Sequence, residues 1–452
     1  LTLPAGLSNL SSFAVLGNQL ASLVLPNGLD NLVSLNARGN ALTSLPMPGG
    51  LGRLAILDLS SNALAALELP AGMVSLSEIR LAGNSITSLS LPGDLEALRL
   101  LQLGDNKLTY LSVPAASGEF THLDLAGSTA PVFKLGQVPA GMVNLSLWNN
   151  GLTYLKLPES WRSAEVMQLG NNQLRDFSFL EGFSQLTNLS IPGNGLTALN
   201  LPEGLVSLTT LDLSANSLVS LALPADMGQL SALRLSTRWG GERTLAQLDL
   251  PHGLVSLKSL DLSYSTATEF ELVSAPPSLE TIVLGGNGLT RLTLPESLPG
   301  LRQLLLWGNQ LTEFALPQGL GGLVTLDLHS NGMTSFSLPE GMDQLTTINL
   351  AGNELTSLNL PEGLTSLNEL WLGSNSLSVL SVPEDSGLTT IDLSNALAAD
   401  FELVSAPAGL SRLVLNDEDL RSVDLPEELT GLTDLSLVGG QLESLAFLGE
   451  LG

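Results

Sequence analysis

Leucines and one asparagine recur along this chain with a regular spacing of 22 residues. The recurring phrase is Leu-x-Leu-x-x-Asn, whose alternating apolar positions predict a short strand with one buried face. A fixed period in the twenties predicts a solenoid of stacked coils rather than a domain around one central core. The asparagine closes the phrase at Asn18, Asn40, Asn62, Asn84, Asn106, Asn150, Asn172, Asn194, Asn216, Asn287, Asn309, Asn331, Asn353 and Asn375.

Residues 355–377 illustrate one repeat. Alternation within Leu370-Trp371-Leu372 directs the two leucines to one face of the strand and Trp371 to the other. Asn375 follows where the chain is expected to turn inward. A buried amide at that point can satisfy neighbouring backbone groups, so its copies predict a hydrogen-bonded ladder along the solenoid.

The repeat resembles the leucine-rich-repeat family, whose motif reads Leu-x-x-Leu-x-Leu-x-x-Asn-x-Leu. The resemblance covers essentially the whole chain, so residues 1–452 are expected to form a single continuous solenoid of about twenty repeats. It implies parallel strands on a concave face and turns or varied structure on the convex side.

A second Leu-x-Leu unit follows each asparagine, as in Leu358-Asn359-Leu360-Pro361. Each coil therefore holds two similar halves, and we expect a second, shorter parallel strand on the opposite face. Proline can end such a strand but cannot donate within it. The Pro-x-Gly-Leu that follows leaves room for little helix. Some bacterial leucine-rich repeats show similar nested half-repeats.

Three repeats lack the asparagine and carry Ser128, Ser265 or Ala396 in its place. They are separated by 137 and 131 residues, which are six repeats plus five residues and six repeats minus one. The segment Phe-Glu-Leu-Val-Ser-Ala-Pro occurs at both 270–276 and 401–407. A block of six repeats has thus been duplicated, with irregular repeats near 128, 236–265 and 381–396. The duplication either has no structural purpose or sets a longer period with a bend or lateral contact per block.

Composition excludes several classes of function. The net charge of -27 disfavours nucleic acids and anionic membranes, because both are bound through lysine and arginine. The chain has no cysteine, which excludes disulfides, thiolate catalysis and cysteine-ligated metals. Lack of cysteine-rich caps favours a prokaryotic source, and both ends look uncapped. No apolar stretch is long enough to insert into a membrane.

Large side chains interrupt the expected outward columns of the main sheet, where most members are aspartate or small. Five of them fall within five consecutive repeats, and with strands about 4.8 Å apart they would span about 20 Å. Clustered exposed aromatics favour an interaction site, although packing between neighbouring strands is the alternative. These residues are Val283, Leu305, Trp307, His329 and Trp371. Trp148, a large residue in an outward column elsewhere in the chain, is a further candidate binding residue, and Trp239 lies in an inserted loop that is either a binding element or a tolerated insertion.

Chemistry beyond binding has little support. Asp327 and His329 share a face, but no nucleophile completes a catalytic site, and neither a metal site nor a cofactor is expected. The sequence therefore predicts a non-enzymatic scaffold, secreted or on the surface of a prokaryote, that binds a protein or glycan. The alternative is a structural subunit or segment of a self-assembling fibre, sheath or adhesin stalk, built by end-to-end or lateral contacts with copies of itself.

Overall fold

The computed structural model describes residues 1–238, 244–426, 429 and 431–442, without the side chains of 129–132. These residues form parallel β-solenoid coils in two compact units. Unit 1 comprises Leu1–Leu196 and Asn200–Leu213, and unit 2 comprises Thr197–Leu199 and Ser214–Gly452. Each unit carries one long parallel sheet, small parallel sheets and almost no helix, as the repeat pattern predicts.

The long sheet of each unit takes one three-residue strand from each coil, and the central residue of each strand faces the core. Pairing in unit 1 joins residues 22 apart, as in Leu35 with Leu57. Strands are numbered in chain order. In unit 1 they are β1 Ser12–Ala14, β2 Ser34–Asn36, β3 Ile56–Asp58, β4 Glu78–Arg80, β6 Leu100–Gln102, β8 His122–Asp124, β10 Asn144–Ser146, β11 Val166–Gln168, β12 Asn188–Ser190 and β13 Thr210–Asp212.

Unit 2 keeps the same pairing across both irregular spacings. Ala232 pairs with Ser259 across the five extra residues, and Trp371 pairs with Asp392 across the deletion, so the length changes lie outside the sheet. Its long-sheet strands are β14 Ala232–Arg234, β16 Ser259–Asp261, β18 Thr281–Val283, β20 Gln303–Leu305, β21 Thr325–Asp327, β22 Thr347–Asn349, β24 Glu369–Trp371, β26 Thr390–Asp392, β28 Arg412–Val414 and β30 Asp434–Ser436.

The repeated half-units predict a second strand in every coil. In the described residues, strands outside the long sheets occur in only a few coils. The helices of the described part are two 3-10 turns, Glu159–Trp161 and Ser178–Leu180, and neither approaches the length of a membrane crossing. The small sheets are β5 Ser88–Ser90, β7 Leu108–Ser112 and β9 Thr129–Leu135 in unit 1; and, in unit 2, β15 Leu245–Asp249, β17 Thr266–Ser274 and β19 Arg291–Thr293, with β23 Ser357–Asn359, β25 Leu377–Ser381, β27 Leu397–Ser405 and β29 Ser422–Asp424.

The core of each unit is a stack of leucines. The strand-centre residues Leu35, Leu57, Ile79 and Leu101 are fully buried, and so are leucines just beyond the ladder position, such as Leu42 and Leu64. Equivalent leucines in successive coils fall at the same depth because the pairing register equals the sequence period. Burial of apolar surface coil on coil is therefore the main stabilising term.

The ladder asparagines join neighbouring coils. The Nδ2 of Asn84 donates to the carbonyls of Leu59 in the previous coil and Leu81 in its own, at 3.0 and 2.9 Å. Its Oδ1 accepts the N–H of Leu64 at 3.0 Å. Asn84 is buried, so these bonds satisfy three backbone groups that cannot reach water. Asn18, in the first coil, is exposed and bonds only within its own coil.

The small sheets form where the asparagine is missing. In each case a backbone carbonyl takes over the role of the amide oxygen: Leu108, Leu245 and Leu377 donate to the carbonyls of Ser128, Ser265 and Ala396. The chain then pairs directly with the preceding coil, beginning at Leu108 with Thr129, Leu245 with Thr266 and Leu377 with Leu397. All three pairings shift register just after this first pair, where the later strand advances five residues against two on the earlier strand. The same shift at all three sites shows that the irregular repeats share one local structure.

Candidate interaction surface

The large side chains predicted on the main face of unit 2 project from five consecutive long-sheet strands. The register places Val283, Leu305, Asp327, Asn349 and Trp371 side by side in one column across β18, β20, β21, β22 and β24. Trp307 and His329 stand two residues beyond Leu305 and Asp327 in the adjacent column. The structure therefore brings the five predicted residues onto one face of unit 2.

Three rings form a preformed cluster on this face. Trp307 stacks on the imidazole of His329, with ring centroids 6.1 Å apart and an interplanar angle of 14°. On its other side Trp307 meets Tyr264 edge to face at 5.6 Å and 71°. We call Tyr264, Val283, Leu305, Trp307, His329 and Trp371 the aromatic surface. Such ring pairs contribute about 0.5–1.5 kcal/mol beyond their area burial, so the cluster is held in place without a ligand.

Two glycines provide the room for this cluster. A Cβ atom at Gly285 would collide with the indole of Trp307, and one at Gly286 would collide with the ring of Tyr264. The rings of Tyr264 and Trp307 therefore meet across a coil that has no side chains at these two positions. The pair Gly285-Gly286 is the sequence signal for the cluster.

Tyr264 itself was not predicted. It immediately precedes Ser265, at a position that the other coils give to glycine or to small or polar residues, and its φ is 58°. A bulky side chain is rare in this left-handed region and costs of order 1–3 kcal/mol. Strain of this kind is concentrated at functional sites, and here it directs a ring over Gly286.

The polar partners fix the orientation of the imidazole. His329 Nδ1 lies 2.7 Å from Asp327 Oδ1 and 3.3 Å from Asn349 Nδ2. The same carboxylate oxygen also accepts the backbone N–H of His329 at 3.0 Å. The ring thus presents one face to Trp307 and keeps Nε2 as its remaining polar atom.

The aspartates of this column have a local structural role. Asp58, Asp124, Asp261, Asp327 and Asp392 each accept the backbone N–H two residues further on, through Oδ1 at 2.9–3.0 Å. Within the described residues, no group of three or more histidine, aspartate or glutamate side chains is placed to hold a metal ion.

Trp371 differs from the other aromatic residues of the surface. It is 55% exposed, whereas Val283, Leu305, Trp307 and His329 are half-buried. No ring contact to Trp371 occurs within the part of the chain that the structure describes. A large, exposed and unstacked indole on the same face as a fixed aromatic pair can bury much additional area on contact with a partner.

The strands add a third outward column that the motif did not indicate, because each strand begins one residue before the first leucine of Leu-x-Leu. On β18 to β24 this column is polar, and neighbours bond across strands, as between Thr281 and Gln303 and between Thr347 and Glu369. The aromatic surface therefore has a polar border on this side. The column consists of Thr281, Gln303, Thr325, Thr347 and Glu369.

The two remaining tryptophan predictions have different outcomes. Trp148 belongs to unit 1, where it is half-buried and packs on Gly170, a site that a Cβ atom would not fit. It is therefore not a member of the cluster in unit 2. Trp239 lies outside the described residues.

Comparison with solved structures agrees with the coil geometry. YopM from Yersinia enterocolitica is 25% identical and superposes with a TM-score of 0.57, over 95% of this chain and 91% of its own. The chain has the leucine-rich-repeat fold. The Leptospira interrogans LRR protein LIC12759 is 24% identical over 99% and 89% of the two chains, with a TM-score of 0.35.

A third structure, the functional domain of InlJ from Listeria monocytogenes, is 18% identical over 85% of this chain and 76% of its own, with a TM-score of 0.44. No family model and no curated protein matches the sequence. The superposition on YopM supports the leucine-rich-repeat fold, and the function has to be inferred from the surface.

Proposed function

We propose that this leucine-rich-repeat protein is a non-enzymatic binding scaffold, secreted or on the surface of a prokaryote, that holds a protein partner through its aromatic surface. The observation that carries the proposal is the exposed indole of Trp371 on the same face as the preorganised stack of Trp307 and His329. Tryptophan and tyrosine are enriched among residues that dominate binding energy.

The composition of the face supports a protein partner of defined character. An apolar centre with a polar border is the usual anatomy of a protein interface. The border contains Glu369, and the chain as a whole carries a net charge of -27. A partner with an apolar or aromatic contact and basic surroundings fits this face best, since complementary charge accelerates association.

A binding role also agrees with the hydrogen bonds of Asp327 and His329. Asp327 and His329 are hydrogen-bonded to each other, but their other described contacts are a backbone N–H and the amide of Asn349. A catalytic dyad needs a nucleophile within hydrogen-bond reach of its base. The dyad here orients a ring for stacking.

Selection of displayed random peptides against the full chain, followed by calorimetry with the best binder, tests the proposal. Trp371→Ala is expected to weaken binding by about thirtyfold or more, the effect of removing a dominant interface residue. Trp307→Ala is expected to weaken it as well. Val255→Ala removes an apolar side chain outside the surface that is at least as exposed as Trp371, at 65%, and is the matched control.

Unchanged affinity in both tryptophan variants would contradict the proposed site. A parallel glycan array distinguishes the two kinds of partner. Glycan binding that disappears in Trp371→Ala, together with no selected peptide, would replace the protein partner by a carbohydrate on the same surface.

One observation favours the structural alternative. Val273 on β17 and Val404 on β27 occupy matching positions in the two small sheets of unit 2 and are 44% and 49% exposed. Exposed valines repeated once per block would suit lateral contacts in an assembly. Sedimentation over a wide concentration range separates this alternative from a binding scaffold, since a monomer at all concentrations excludes self-assembly.

A further inference from the structure

Unit 1 contains an apolar cavity of about 610 Å³ on the side of β9 that faces the following coil. Its walls come from β9 (Phe133 and Leu135), from the long-sheet side of the next coil (Leu145 and Leu147), and from Leu155 and Trp161. The indole of Trp161 is buried, and its Nε1 donates to the carbonyl of Pro139 at 2.9 Å, so this wall is fixed. The volume lies within the range of small-molecule sites, about 300–1,000 Å³.

The matching regions of unit 2 show why the cavity exists. There β17 pairs with β19, placing Phe270 beside Leu292, and β27 pairs with β29, placing Phe401 beside Val423. In unit 1 the matching residues, 22 apart, are Phe133 and Leu155, but residues 153–157 form no strand. Phe270 and Phe401 are 2% and 3% exposed, whereas Phe133 is half-buried and lines the cavity. The cavity thus replaces a strand pairing that closes the coil in unit 2.

The lining of the cavity is mainly apolar and contains one basic residue, Lys156. Lys156 is exposed and belongs to the lining, and Lys134 is exposed on β9 between two lining residues. Neither lysine forms an ion pair with a described residue. Free cations beside an apolar cavity are notable in a chain with 17 basic and 44 acidic residues, because most of the surface repels anions.

We propose that this cavity binds a fatty acid, with the aliphatic tail among the leucines and Phe133 and the carboxylate at Lys156. The tail would replace the apolar contacts that the pairing with a next strand provides in unit 2, and each buried methylene would strengthen binding. The ammonium group of Lys156 selects an anionic head group over a neutral or cationic one. The site lies in unit 1 and is independent of the aromatic surface in unit 2.

Calorimetric titration of the full chain with octanoate, decanoate and dodecanoate, below their aggregation concentrations, tests the proposal. One site per chain is expected, with an affinity that rises by up to about fourfold per methylene buried. Dodecanol is expected to bind more weakly than dodecanoate, and dodecyltrimethylammonium more weakly still. Lys156→Gln should weaken dodecanoate by about two- to fivefold, as for loss of an exposed ion pair, and leave dodecanol unchanged.

Leu155→Trp fills the cavity and should abolish saturable binding. Leu292→Trp makes the same change at the matching position of unit 2, beside Phe270, and should leave binding intact. Hydrogen exchange of the unmodified chain provides a second readout that needs no variant to fold, with protection of amides 133–135 and 152–157 expected on addition of dodecanoate. Absence of saturable binding, equal affinity for octanoate and dodecanoate, or unchanged exchange in these segments would overturn the proposal.

Discussion

Coils that carry the ladder asparagine and coils that lack it satisfy the same backbone groups in different ways. In a regular coil the N–H of Leu64 donates to the side-chain oxygen of Asn84 at 3.0 Å. At the first irregular repeat of unit 2 the corresponding N–H, that of Leu245, donates to the backbone carbonyl of Ser265 at 3.3 Å. Because a carbonyl replaces the amide, the backbones of the two coils come together and begin a strand pairing.

The comparison teaches what the asparagine does beyond satisfying hydrogen bonds. It holds the turn by its side chain, so the second half of the coil is free to remain outside a sheet. Where it is absent, the backbone ladder continues into β9, β17 or β27. Each of these longer strands has a further edge that faces the next coil. In unit 2 the next coil pairs with this edge, whereas in unit 1 it does not and a cavity lies there instead.

The largest expected effect on stability comes from replacing the phenylalanines that pack in the irregular repeats. Phe270→Ala should lower the free energy of unfolding by about 3–5 kcal/mol, because it removes a fully buried aromatic ring. Phe133→Ala should cost less than half as much, since its half-buried ring borders the cavity. Denaturant titration of the full chain, followed by circular dichroism, measures both. Equal losses would show that the two irregular repeats are packed alike.

The ladder itself gives the next largest effect. Asn84→Ala should lower the free energy of unfolding by about 3 kcal/mol, because three buried hydrogen bonds are lost and the N–H of Leu64 is left without a partner. The carbonyls of Leu59 and Leu81 each keep one donor, from Asn62 and Asn106. Asn18→Ala is the matched control in the first coil and should cost less than about 1 kcal/mol, since its bonds are local and exposed. Ser265→Ala should also cost only about 1 kcal/mol, because its hydroxyl makes a single bond, to Leu262. A loss for Ser265→Ala as large as that for Asn84→Ala would contradict the backbone replacement.

The repeat pattern predicted the parallel long sheets and the buried leucines because the sequence period equals the pairing register. It overestimated the number of coils that carry a second strand, because a Leu-x-Leu unit provides an apolar face whether or not its backbone pairs as a strand. Whether the second strand forms depends on which group accepts a single backbone N–H. At Leu108, where the strand forms, the acceptor is the backbone carbonyl of Ser128. That partner depends on the residue one coil away, which no local pattern contains.

The aromatic surface was predictable in part for a similar reason. Counting outward positions found Val283, Leu305, Trp307, His329 and Trp371, since alternation alone assigns their face. It missed Tyr264, whose position is a turn residue that strand alternation does not cover. Its ring reaches the cluster through a left-handed backbone and over Gly286, and both are properties of the three-dimensional turn.

The smallest expected effect on stability concerns that tyrosine, and it separates strain from function. Tyr264→Gly removes a left-handed strain of about 1–3 kcal/mol and the contact with Trp307, about 0.5–1.5 kcal/mol, so the two effects oppose each other and the free energy of unfolding should change by no more than about 2.5 kcal/mol. Ser330→Gly makes the same backbone change in a regular coil, at φ 54°, without loss of a ring contact, and should be neutral or stabilising. If the strain at Tyr264 is maintained for binding, Tyr264→Gly should weaken the selected peptide at least fivefold, while Ser330→Gly leaves it unchanged. An unaltered peptide affinity in Tyr264→Gly would make the tyrosine a packing residue of the irregular coil and confine the binding surface to Trp307, His329 and Trp371.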